Sequence, residues 1–144
     1  MLAAAPSSGH IPFVPIPLPP FALTAPAFRF RHLAGLAGRA PIGGAREVAL
    51  ACFVAARLAA ECGLATDDPQ RDREARYAGA KAWLATMVLP APVRGSAARC
   101  AELSVSGAAV DMAQEIATLV QAAASHLDAP SRAELSALSA LLRG

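Results

Sequence analysis

Residues 45–62 read AREVALACFVAARLAAEC, and this stretch decides the fold. Alanine favours helix above all other residues, and nothing in the run breaks one. With Arg46 placed at 0° and about 100° per residue, Glu47 falls near 100°, Arg57 near 20° and Glu61 near 60°, so every charge shares one narrow stripe. The remaining circumference carries Val48, Leu50, Phe53, Val54 and Leu58 among alanines and must be buried. The stretch is therefore expected to be the central helix of an all-α bundle, or to face a second subunit.

The elements after it follow the same logic. Gly63 ends the central helix, and Asp68-Pro69 reads as the cap and first position of a second helix reaching Leu89, where Pro90 and Pro92 stop it. Tyr77, Ala80, Leu84, Met87 and Val88 are its expected core face. Ser96 is read as the cap of a short helix through Cys100 and Leu103, stopped at Gly107. Residues 108–127 form the clearest amphipathic segment: Ala109, Met112, Ile116, Leu119, Ala123 and Leu127 recur at helical spacing, with Asp111, Gln114, Glu115, Thr118 and Gln121 outside. Ser131 and Glu134 have capping-box spacing, and Leu135, Leu138, Leu141 and Leu142 line a last helix. Residues 45–144 are thus expected to be a small helical bundle of four main helices plus a short one.

Residues 1–44 are of another kind. The first 28 contain no Asp, Glu, Lys or Arg but seven of the twelve prolines. Proline fixes φ and removes amide donors, which favours an extended, polyproline-like arm over helix or sheet. Most proline-rich linkers are polar, yet here Ile11, Phe13, Val14, Ile16, Leu18, Phe21, Leu23, Phe28 and Phe30 crowd into 20 residues. Burying each such side chain is worth roughly 1.5–3 kcal/mol, enough to offset ordering about twenty residues that the prolines already stiffen. Those nine residues are the expected partner-binding set. A short helix from Thr24 through Phe30, Leu33 and Leu36 to Gly38, and a loop over residues 38–44, join the arm to the bundle.

Composition narrows the function further. A chain of 144 residues holds one core, and 13 basic against 11 acidic groups make a balance too even for wrapping nucleic acid. The hydrophobic fraction of 55% is inflated by 37 alanines; no segment reads as a spanning helix, and the start lacks the basic region of a secretory signal. Three cysteines cannot all pair within the chain. Cys52 and Cys62 would lie about 15 Å apart along one helix, beyond disulfide reach, so reduced buried thiols in a cytoplasm are expected.

Candidates for chemistry are sparse. Cys100 with His126 would need two further metal ligands, and no CxxC, HxxxH or ExxH spacing supplies them. Asp111 and Glu115 share a helix face with Gln114 and Thr118, which reads as a solvated surface. Residues 38–45, GRAPIGGA, have the glycine spacing of a phosphate-binding loop, but Gly44 and Ala45 stand where lysine and a hydroxyl belong. Arg29, Arg31, His32 and Arg39 are candidate contacts for an anion or nucleic acid, and Phe28 and Phe30 interleave with the first two. No cofactor is implied. The leading expectation is a noncatalytic assembly or accessory subunit, docking its arm and an apolar helix face on another chain, identical or different. Two alternatives compete with it. One is a ligand-binding or enzymatic bundle closed by its own arm over Tyr77, Trp83 and Met87; the other is a peripheral membrane protein that sets Phe13, Phe21, Phe28 and Phe30 in the interface without spanning it.

Overall fold

In a computed structural model, which describes residues 30–64, 69–106 and 108–144, the described residues form six α-helices, five of them arranged around the one that contains residues 45–62. They are α1 (Arg31–Arg39), α2 (Gly44–Gly63), α3 (Gln70–Leu84), α4 (Ala91–Ser106), α5 (Ala109–Ala123) and α6 (Ala129–Arg143), with a 3₁₀ turn at Ala124–His126 between the last two. No strand occurs among the described residues. The fold is an all-α bundle, as the periodicity predicts.

Helix α2 is its axis. It packs on α1, α4, α5 and α6 and touches α3, and every residue from 48 to 62 is buried. The charged stripe does not escape burial, contrary to its expected role as the solvent face. Arg46, Arg57 and Glu61 are only 5%, 7% and 5% exposed. One turn separates Arg57 from Glu61, and their side chains meet at 3.4 Å, so two opposite charges enter the interior together rather than singly. Gly43, at φ 116°, precedes α2 in a conformation that other residues rarely adopt.

Three helix boundaries depart from expectation. Helix α3 stops at Leu84 instead of Leu89; the chain tightens through bonds from Thr86 N–H to Trp83 C=O and Met87 N–H to Leu84 C=O. Met87 and Leu89 then turn inward while Val88, expected in the core, is 84% exposed. Helix α4 is no short insertion but 16 residues long, because Pro92 sits in its first turn, where a missing N–H costs nothing. Ser96 is consequently a buried mid-helix residue rather than a cap. Helix α1 begins at Arg31, after Phe30 in a left-handed conformation (φ 53°), and continues one residue past Gly38.

The cap of α6 also moves. Asp128, not Ser131, is its N-cap, and an Asp128 oxygen accepts the Ser131 N–H at 3.0 Å, leaving Pro130 near the helix start. Glu134 serves a different helix. Its carboxylate accepts the His32 and Leu33 N–H groups at 2.8 and 2.7 Å, which caps α1 from across the fold. At the other end of α1, Arg39 pairs with Asp128 at 3.0 Å. Between these ties Phe30, Leu33 and Ala37 are buried, so this short helix is part of the bundle core. Helix α5 follows its sequence pattern closely: Met112, Ile116, Leu119, Ala123 and Leu127 are all buried, and the Ser139 hydroxyl of α6 donates to the Ala113 carbonyl at 2.8 Å.

Candidate functional site

Helices α3 and α4 run antiparallel and are bridged at both ends by arginine. At one end Arg73 Nε donates to the Val105 carbonyl at 2.9 Å; at the other the Arg94 guanidinium spans the Leu84 and Met87 carbonyls, closing the C-terminus of α3. Between the bridges the helices leave a cleft of about 480 Å³. On α3, Tyr77, Lys81 and Leu84 recur at four- and three-residue spacing and so share a face; on α4, Gly95, Ala98, Arg99 and Glu102 do the same. Small α4 side chains create the space. A β-carbon added at Gly95 would meet no atom within 4 Å.

The walls are mainly apolar, with charge confined to four residues: Lys81, Arg94, Arg99 and Glu102. Lys81 Nζ lies 6.0 Å from the centre of the Tyr77 ring. Arg99 faces Glu102 at 3.8 Å and Glu115 at 3.7 Å, both longer than a hydrogen bond. Lys81 pairs with no carboxylate among the described residues. Of the three residues expected to line a closed cavity, only Tyr77 borders the cleft, since Trp83 and Met87 are packed into the core. A second hollow of about 420 Å³ lies on α5 beside Gln114, Ala117, Thr118, Gln121 and Ala122, none of them ionisable.

The structure separates the residues grouped by sequence as an anion site. Arg31 and His32 are exposed at the start of α1, and Arg39 at its end is bound to Asp128. Eight residues of helix place the two ends about 12 Å apart. The amides that would hold an anion at the start of α1 already serve Glu134. Arg29 and the arm residues Ile11, Phe13, Val14, Ile16, Leu18, Phe21, Leu23 and Phe28 lie outside the described residues, whereas Phe30 is 1% exposed in the bundle's own core.

The three thiols are buried and form no disulfide with one another. Burial pushes the Cys52 thiol up to about 12 and Cys100 higher still, with the Glu115 carboxylate adding to the second shift. Both shifts disfavour the reactive thiolate at neutral pH. His126 stands in the 3₁₀ turn with Nδ1 3.3 Å from the Ser125 hydroxyl. Among the described residues no group of three or more His, Cys, Asp or Glu side chains could hold a metal ion, and no helix is long and apolar enough to cross a membrane.

Comparison with protein-family models, curated proteins and solved structures returned no match. Of the residues that define the cleft, Arg94 and Gly95 precede the helix expected from Ser96, while Lys81, Ala98, Arg99 and Glu102 fall within expected helices that no sequence signal pairs with each other. Starting that helix at Ala91 aligns Gly95 with Ala98, Arg99 and Glu102 on one face.

Proposed function

We propose that this chain is a noncatalytic assembly or accessory subunit, binding another protein chain through the apolar segment that precedes the bundle. One observation carries the reading: residues 11–28 hold eight large apolar side chains and no charge, ahead of a bundle whose described residues pack a core around α2. Those residues are Ile11, Phe13, Val14, Ile16, Leu18, Phe21, Leu23 and Phe28. Eight such side chains without a charge among them form an interaction segment, and the aromatic ones are its anchors, as at protein interfaces generally. The partner is a second copy or a different chain in a larger complex.

Deletion of residues 1–23 tests this. Helical content by circular dichroism and the melting temperature should persist, while mass under non-denaturing conditions, or copurification with the native partner, is lost. A deletion that aggregates and melts many degrees lower with no partner present would instead assign the segment to sealing its own bundle. Replacing only Phe13 and Phe21 with serine removes two anchors and keeps the prolines; this variant should also lose association and keep monomer stability.

A further inference from the structure

We infer that the cleft between α3 and α4 is a binding site for a small amphiphilic anion, an aryl or short alkyl chain ending in a carboxylate or sulfonate. Its volume of about 480 Å³ lies inside the range of roughly 300–1,000 Å³ common to small-molecule sites. Two features set the ligand's chemistry. The Tyr77 ring, Leu84, Ala98 and Ala101 offer an apolar floor beside the open space at Gly95. Around that floor stand three cations and a single carboxylate.

The cations differ in what they can still do. Arg94 is held by the Leu84 and Met87 carbonyls and forms the end wall. Lys81 has no carboxylate partner among the described residues, and Arg99 shares two distant ones, so both can turn toward an incoming anion. An apolar body resting on the floor places its charged end between them at the exposed rim of the cleft, within reach of charge-assisted hydrogen bonds. A cationic ligand would meet Glu102 alone, against three like charges. This site is separate from the assembly role of the arm and stands or falls without it.

The test uses the full chain and 1-anilinonaphthalene-8-sulfonate, a fluorescent apolar anion, with decanoate as competitor. Saturable binding at one site per chain is expected, with displacement by decanoate. Gly95→Leu should abolish binding while leaving helical content and melting temperature unchanged or higher, since leucine fills open space and suits a helix better than glycine. Lys81→Glu should weaken binding by at least about tenfold. The uncharged analogue N-phenyl-1-naphthylamine should bind at least about tenfold more weakly than the sulfonate. Unchanged affinity in Gly95→Leu would remove the cleft as the site, and unchanged affinity in Lys81→Glu, or equal binding of the uncharged analogue, would remove the anion. Binding seen only after deletion of residues 1–23 would assign the cleft to the chain's own arm and overturn the proposal.

Discussion

Replacing Glu134 with alanine should loosen α1 from the bundle. The carboxylate, carried by the first turns of α6, accepts the N–H groups of His32 and Leu33, the second and third residues of α1. Helix α1 has no side-chain cap of its own and no acidic residue in its first turn, so Glu134 supplies both the acceptors and the negative charge that this helix end favours. Losing an N-cap costs about 0.5–2 kcal/mol, and a hydrogen bond to a charged group contributes about 1.5–3 kcal/mol. Glu134 is half-buried and water can reach the His32 amide, which places Glu134→Ala at about 1.5–2 kcal/mol. Glu134→Gln keeps one oxygen and should cost about half as much. For a body of this size the alanine variant corresponds to a melting temperature lower by roughly 5–10 °C. Amide hydrogen exchange gives the sharper reading: His32 and Leu33 should exchange about tenfold to thirtyfold faster, while amides in α2 speed up only as far as global stability falls. A Glu134→Ala protein that melts within about 1 °C of the parent and protects those two amides equally would refute the argument.

Three further outcomes are expected. Phe53→Asp, at a position 8% exposed on α2, should prevent folding, because a carboxylate would enter the core unpaired; a normal helical spectrum and urea midpoint would show that α2 is not the axis. The Asp128 carboxyl is held below its ordinary value of 3.8, first by the Ser131 hydroxyl beside it; desolvation, next in weight, opposes this, and the Ser131 N–H, Arg39 and His32 add to the lowering. A folded-state value below the unfolded one stabilises above that unfolded value and is lost as pH falls through the folded one, so Asp128→Asn should have a lower urea midpoint than the parent at pH 7 and a shrinking deficit below about pH 3.8. A deficit that stays constant into acid would exclude Asp128 as the source. At pH 8 Cys52 and Cys100 should resist a disulfide reagent until the chain unfolds, while Cys62, 6% exposed with Arg76 Nη1 3.2 Å from its sulfur, reacts first; peptide mapping that finds Cys100 modified in the native protein would mean that α2 and α4 separate readily.

The sequence by itself determined the elements whose reasons are local. The alanine-rich run at residues 45–62 was legible as a helix covered on nearly every side, because its charges share one narrow stripe; whether its own bundle or a second subunit covers it was left to the tertiary structure. The spacing of Met112, Ile116, Leu119 and Ala123 likewise placed α5 and its core face, since a 3.6-residue period allows one inward side. Where a residue has two local uses, only the tertiary structure decided between them. Pro92 can stop one helix or stand in the first turn of the next, and the Arg94 clamp across the end of α3 selects the second. Glu134 has the spacing to cap its own helix, yet it reaches α1, because packing α1 on α2 and α6 brings uncapped amides to it. The charged stripe of α2 was legible as a stripe but not as a buried one, since its cover comes from residues distant in the chain. The α3–α4 cleft belongs wholly to the tertiary level: its residues span 77 to 102 on two helices, and only antiparallel pairing sets the space at Gly95 beside the charge of Lys81.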